Sequence, residues 1–323
     1  MIIVTGGAGF IGSAIVWKLN QLGENKIIIV DDLGKNEKWK NLIGLTFDEI
    51  ISKDKFIEIL DGGNFNNAEA LIHMGAISST TEKDADLLLT NNYKYTKTLA
   101  DYCLRKNIRF IYASSAATYG DGSLGFDDNE TDCANLRPLN MYGYSKCLFD
   151  NWALGVDAFN KIVGIKYFNV YGPNEYHKGD MRSVVHKAFE QARDTGKVGL
   201  FKSKNPKYND GEQMRDFIYI KDAVDMTLHF LEHKEKSGLF NIGSGRARTW
   251  KDLVTALFSA MGMPTNIEYI DLPEHLTDKY QYFTEAKLTK IKKAGYKKPL
   301  TSLEDGVTDY VKNYLMGKLY LGM

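Results

Sequence analysis

Four things are scarce in this sequence of 323 residues: cysteine, proline, net charge and long apolar runs. The three cysteines, Cys103, Cys133 and Cys147, form no C-x-x-C pair. An odd number without a secretory leader fits a reducing cytoplasm better than a disulfide framework. Lys plus Arg equals Asp plus Glu at 41 each, so no overall basic field exists to hold nucleic acid non-specifically. The opening apolar run, Met1–Val4, is too short for a signal peptide, and no later stretch approaches the roughly 18 apolar residues a spanning helix needs. The expectation is a soluble cytoplasmic protein with no nucleic-acid or membrane partner. Six prolines, 44% apolar and 25% charged residues complete an ordinary globular composition.

What is present is alternation. Short β-branched runs at Met1–Val4, Lys26–Val30, Ala70–His73, Arg109–Ala113 and Ile162–Tyr167 alternate with helical patterns over 91–106 and 142–159. Such alternation predicts an α/β fold: a Rossmann doubly wound parallel sheet with a smaller α/β substrate-binding domain. The dinucleotide-binding domain is expected over 1–170, with 216–240 returning to it. The substrate-binding domain is expected from 171–215 and 241–323. Helices are read at Val184–Ala192, Asp222–His233 with Asp222 as N-cap, Trp250–Met261 and Leu303–Tyr314, and a strand at Phe217–Ile220.

Thr5-Gly6-Gly7-Ala8-Gly9-Phe10-Ile11-Gly12 follows the first strand and opens a helix. Gly6 suits the tight turn, Gly9 the approach of a pyrophosphate, and Gly12 close packing of helix on strand. The second strand ends at Asp31-Asp32, about 20 residues on, where an acid meets the adenosine ribose. Read alone, Asp31 favours NAD. Lys35, Lys38 and Lys40 follow and could neutralise a 2′-phosphate, so these residues leave the choice of cofactor open.

Tyr142-Gly143-Tyr144-Ser145-Lys146 puts a phenol and an ammonium on one helical face. An adjacent ammonium is expected to lower the tyrosine pKa toward that of a general base. Ser115, at a strand end, is placed to hydrogen-bond the substrate oxygen while Tyr142 takes its proton. His229 and His233 share the i, i+4 spacing of zinc ligands, but no third ligand accompanies them and no metal is expected. The Lys202–Lys207 run reads as a solvated or nucleotide-near loop.

Gly6–Gly12, Asp31, Ser115, Tyr142 and Lys146 together resemble the extended short-chain dehydrogenase/reductase superfamily. Within it the chain is most similar to the heptose 6-epimerases that act on ADP-heptose, over nearly its whole length. Asp31–Leu42, His73–Glu82, Asn91-Asn92-Tyr93, Tyr167–Pro173, His177-Lys178-Gly179, Arg215-Asp216-Phe217 and Tyr280–Thr284 carry that resemblance.

The resemblance implies epimerisation at C6 of a nucleotide-linked heptose, for lipopolysaccharide core precursor supply. The C6 carbinol would be oxidised to a ketone and re-reduced on its other face, with Tyr142 and Lys178 moving the protons. It implies bound NADP, with NAD an alternative. The cofactor would be held by the glycine turn with Phe10 and Ile11, by Asp31, Asp32, Lys38 and Lys53, by Met74, Gly75, Ala76, Ile77 and Ser78, and by Asn91, Tyr142, Lys146, Val170 and Lys178. Substrate would meet Ser78, Ser115, Asn169, Asp180, Lys187, Phe201, Arg215 and Tyr280, with Arg215 suited to a diphosphate. Self-association is implied as well. Asp180 and Lys187 depart from the family pattern and leave the exact sugar or nucleotide open. A 4-epimerase is the nearest alternative; a 4,6-dehydratase lacks its acidic pair, since Ala116 and Ala117 occupy those positions. A non-enzymatic dinucleotide sensor would not need the Tyr142/Lys146 pair.

Overall fold

Ile2, Ile3 and Val4 are all buried because a central parallel strand has helices on both faces and no side facing water. In the computed structural model, which describes residues 1–274 and 280–323, that strand is β1 (Ile2–Thr5). The first half continues α1 (Phe10–Gln21), β2 (Ile27–Val30), β3 (Glu49–Ile51), α2 (Lys53–Leu60), β4 (Ala70–His73), α3 (Ala85–Leu88), α4 (Tyr95–Lys106), β5 (Arg109–Ser115), α5 (Met141–Gly155) and β6 (Val163–Tyr167). The second half runs β7 (Asn169–Tyr171), α6 (Val184–Thr195), β8 (Val198–Phe201), β9 (Met214–Tyr219), α7 (Ile220–Glu232) and β10 (Gly238–Ile242). It ends with β11 (Ala247–Thr249), α8 (Trp250–Met261), β12 (Ile267–Ile270), α9 (Thr289–Lys293) and α10 (Leu303–Tyr310).

Seven strands form one parallel sheet in the order β10-β6-β5-β4-β1-β2-β3. One face packs Ile2, Val4, Ile72 and Ile111 against α1 and α7, the other packs Ile3, Leu71 and Phe110 against α4 and α5. The strand order reverses between β1 and β4, and a crevice at such a switch point is where doubly wound sheets bind ligands. Beyond the sheet lie a three-stranded ribbon, β11-β9-β7, and the parallel pair β12-β8.

One sequence expectation changes here. Asp222 does not cap α7: the helix begins at Ile220 behind Tyr219, and the Asp222 carboxylate accepts the N–H and hydroxyl of Thr301 at 2.8 and 3.0 Å. A partner 79 residues away outcompetes the local cap. The segment 217–220 was expected as a strand, and its strand β9 pairs in the ribbon with β7 and β11. It is β10 that joins the large sheet, beside β6.

Candidate active site

The glycine turn joins β1 to α1 with Gly6 at φ +66°, a conformation that L side chains rarely adopt. A methyl at Gly6 would sit 2.5 Å from the Gly75 nitrogen, and one at Gly12 would overlap the Gly6 carbonyl oxygen. The three segments therefore close on each other only as glycine. Gly9 begins α1 without a side-chain cap, so the first-turn N–H groups face outward with the positive end of the helix dipole.

Asp31 stands at the end of β2, where its carboxylate accepts the Ala8 N–H at 2.9 Å and the Lys38 ammonium at 2.7 Å. Asp32 and Asn91 both engage Lys53: Asp32 Oδ1 accepts its backbone N–H at 3.1 Å, and Asn91 Oδ1 accepts its ammonium at 3.0 Å. Asn91 and Asn92 lie on a wide helical turn, Leu89–Lys94, between α3 and α4. The buried Asn92 amide accepts the Ile77 N–H at 2.9 Å and donates to the Ile77 carbonyl at 3.0 Å, which fixes the loop after β4.

These pieces line one cleft of about 660 Å³ at the switch point. It brings together Gly6, Gly9, Phe10, Ile11, Gly12, Asp31, Lys38, Met74, Gly75, Ala76, Ile77, Ser78, Ser115, Tyr142, Lys146, Asn169, Val170 and Lys178. Asp32, Lys53 and Asn91 do not line it. Phe201, Arg215 and Tyr280 form a neighbouring cluster that reaches the cleft through Trp250. The Arg215 guanidinium sits 5.6 Å from the Trp250 ring and 5.5 Å from that of Tyr280, and the Trp250 indole donates to the Tyr280 hydroxyl at 3.2 Å. Asp180 is exposed and Lys187 lies on α6, and neither lines the cleft. Met181, Arg182 and Ser183 line it in their stead.

Asn140 caps α5 by accepting the Gly143 N–H at 2.8 Å, which sets Tyr142 and Lys146 on the first turns. Gly143 lets that helix press against the turn after β5, since a methyl there would lie 2.7 Å from the Ala117 carbonyl oxygen. Ser115, at the end of β5, lines the cleft with Tyr142, and its hydroxyl oxygen accepts the Ala117 N–H at 3.1 Å. Lys146 donates to the Ala113 carbonyl at 2.7 Å.

The expected depression of the tyrosine pKa is corrected: burial raises Tyr142, and the Ser115 side chain opposes that rise. Burial brings Lys146 down to about 8 against the opposing charge of Asp150. Lys178 sits on the turn Tyr176–Met181, its ammonium 5.2 Å from the Phe10 ring centroid. Burial lowers its pKa while Glu175 raises it.

Sequence reasoning quoted His177 without a role and overlooked Trp250 and Arg182. His177 lies between the cleft and Asn41, whose amide reaches both its ring at 3.2 Å and the Ala8 carbonyl at 2.9 Å. No local pattern marks Trp250 or Arg182, which meet the cleft only through the fold. The His229–His233 pair is spent on carbonyls, at 3.1 Å to Ala294 and 3.0 Å from His233 to His229.

The uncapped helix end, the glycine-only contact of Gly6 with Gly75 and the ribose-side carboxylate of Asp31 fit a bound dinucleotide. Among the described residues, no helix is long and apolar enough to cross a membrane.

Residues 2–243 match the model of the NAD dependent epimerase/dehydratase family. The chain is 54% identical to ADP-L-glycero-D-manno-heptose-6-epimerase of Nitratidesulfovibrio vulgaris, over 98% of each chain. Its fold matches the crystal structure of the Helicobacter pylori enzyme of the same name with TM-score 0.82 and 30% identity, over 97% of this chain and 95% of that one. It also matches UDP-glucuronic acid 4-epimerase of Bacillus cereus, whose structure holds NAD, with TM-score 0.76 and 26% identity over 97% and 99% of the two chains.

The NADP expectation is thereby corrected to NAD, the cofactor that this related epimerase structure holds. The site gives the physical reason. Lys38, the residue expected to meet a 2′-phosphate, is already neutralised by Asp31, and that carboxylate would repel the phosphate.

Proposed function

The chain belongs to the NAD dependent epimerase/dehydratase family, and from that membership we propose how it inverts C6 of the heptose in ADP-glycero-manno-heptose, D-glycero to L-glycero, on the way to the lipopolysaccharide inner core. The likeness to the heptose epimerases along the full length of both chains carries this reading.

The glycine turn and the N-terminus of α1 would hold the pyrophosphate of NAD, and Asp31 its adenosine ribose. Bound there, NAD supplies an acceptor for the C6 hydride and the means to return it. The residues of the chain handle the protons and the sugar. Tyr142 and Lys178 line the same cleft from different elements, α5 and the turn before α6, as two groups serving two faces of one ketone require. One takes the hydroxyl proton as C6 is oxidised; the other protonates the alkoxide after the ketone has turned over. Ser115 holds the reacting oxygen, and Lys146, close to its own pKa near neutrality, steadies the charge that develops on Tyr142. Arg215, with Trp250 and Tyr280, takes the diphosphate end of the substrate. A dehydratase reading finds no acid in the turn after β5, where Ala116 and Ala117 stand.

The test is the pair Tyr142→Phe and Lys178→Met. Each is expected to lose at least about a hundredfold in kcat while still retaining NAD. Near-normal turnover in either variant removes that residue from the mechanism.

A further inference from the structure

Glu175 lies three residues before Lys178 and is 1% exposed, yet among the described residues it forms no salt bridge. Its carboxylate is held by two donors of Ser183, at the head of α6. Oε2 accepts the Ser183 N–H at 2.5 Å and Oε1 the Ser183 hydroxyl at 2.6 Å. Ser183 in turn caps α6 by accepting the His186 N–H at 3.3 Å. From α10, Tyr310 also favours the ionised form of the same carboxylate.

Behind this carboxylate, the Tyr310 hydroxyl lies 3.2 Å from His186 Nδ1, while His186 Nε2 meets the Arg182 guanidinium at 3.1 Å and the Glu190 carboxylate at 3.5 Å. Burial pushes the Glu175 carboxyl up, and the Ser183 bonds and the Lys178 ammonium oppose that rise. The backbone closes the same loop, since the Glu175 carbonyl accepts the Lys178 N–H at 3.0 Å. Glu175 thus ties together both ends of the segment 175–183, whose middle carries Lys178 over Phe10.

We propose that Glu175 is a positioning residue for Lys178: it holds the turn that presents the ammonium to the cleft and supplies the negative charge that faces it. The inference rests on the reading of Lys178 as a proton carrier. Burial lowers Lys178, and Glu175 is the group that opposes this. The other titratable groups around the pair do not substitute for it. His177 is held neutral by burial, down to about 4; Tyr176 and Tyr310 are raised far above neutrality; and Arg182 is engaged by Glu190 at 2.7 Å.

The test is Glu175→Gln in the cofactor-bound enzyme, with kcat and KM for ADP-heptose measured across pH. Expected are a loss in kcat of about tenfold, KM within about twofold, and a shift to lower pH of the limb set by Lys178, because its ammonium has lost the facing charge. Glu175→Asp should recover part of the loss. Tyr310→Phe, which removes one donor and keeps the ring, should move the profile in the same direction by less, and carries the test if Glu175→Gln does not fold. A wild-type profile in these variants, or a loss in kcat with the limb unmoved, overturns the proposal. Lys178→Met separates the two readings: if it is inactive while Glu175→Gln is normal, only the positioning role falls, and if it is active, the proton-carrier reading falls first.

Discussion

Replacing Gly6 by alanine tests the glycine turn through two separable costs. The first is conformational: at φ +66° a residue with a Cβ costs about 1–2 kcal/mol relative to glycine. The second is contact. The new methyl would lie 2.5 Å from the Gly75 nitrogen, 2.6 Å from its Cα and 2.8 Å from the Met74 carbonyl carbon. Ordinary carbon contacts begin near 3.5 Å, so two backbones must part by the better part of an ångström, an overpacking cost of about 1–3 kcal/mol. That movement also strains the bonds from the Gly6 N–H to the Val30 carbonyl at 2.8 Å and from the Met74 N–H to the Thr5 carbonyl at 3.0 Å. The stiffer unfolded chain offsets about 0.4–1 kcal/mol. The net expectation is a loss of about 2–4 kcal/mol and weaker retention of NAD. Gly23 supplies the control: it has φ +84°, and a methyl there would meet nothing within 4 Å. Gly23→Ala therefore carries the first cost alone, about 1 kcal/mol, with NAD binding intact. Urea unfolding and cofactor retention through gel filtration measure both. Equal losses in the two variants would refute the claim that Gly6 and Gly75 must touch.

Two further outcomes follow from the site. His73 is buried between the hydroxyls of Thr5 and Thr96 at 2.5 and 2.8 Å, and burial lowers its pKa to about 3 from 6.5. The folded state then binds its proton later than the unfolded state, so its contribution is complete above pH 6.5 and is lost as pH falls toward 3, at about 1.4 kcal/mol per pH unit. A His73→Asn variant should lack this slope, and parallel stability–pH curves for the two proteins would contradict it. Asp31→Asn should remove the charge that repels a 2′-phosphate and release Lys38, shifting preference from NAD toward NADP by about tenfold in titrations of the stripped enzyme. An unchanged ratio would show that Asp31 does not set it.

The parts legible in the sequence were those made by neighbours along the chain. The glycine turn, the first two strands and the Tyr142–Lys146 face of α5 depend on residues within a few positions of one another. Glu49–Ile51 and Gly238–Ile242 went unread as strands because three to five residues beside charged or glycine-containing sequence carry too little periodicity. Asp222 looked like a cap because Thr301 is invisible from its surroundings. The Tyr142 shift had the wrong sign because burial, a property of the packed molecule, outweighs the one group that opposes it, Ser115. The same holds for Glu175, whose partners Ser183 and Tyr310 arrive from α6 and α10, and for Arg215, joined to the cleft only through Trp250. The Lys38–Asp31 pair shows why counting lysines misled on the cofactor: a cation already paired offers little to a phosphate.

The central claim is C6 epimerisation on a retained cofactor. Its most direct test is incubation of the purified protein with ADP-D-glycero-D-manno-heptose, no cofactor added, followed by NMR of the product. The account predicts the L-glycero epimer, with the C6 hydrogen recycled within the site. Unchanged substrate, even with NAD supplied, would contradict it and move the enzyme to another nucleotide sugar.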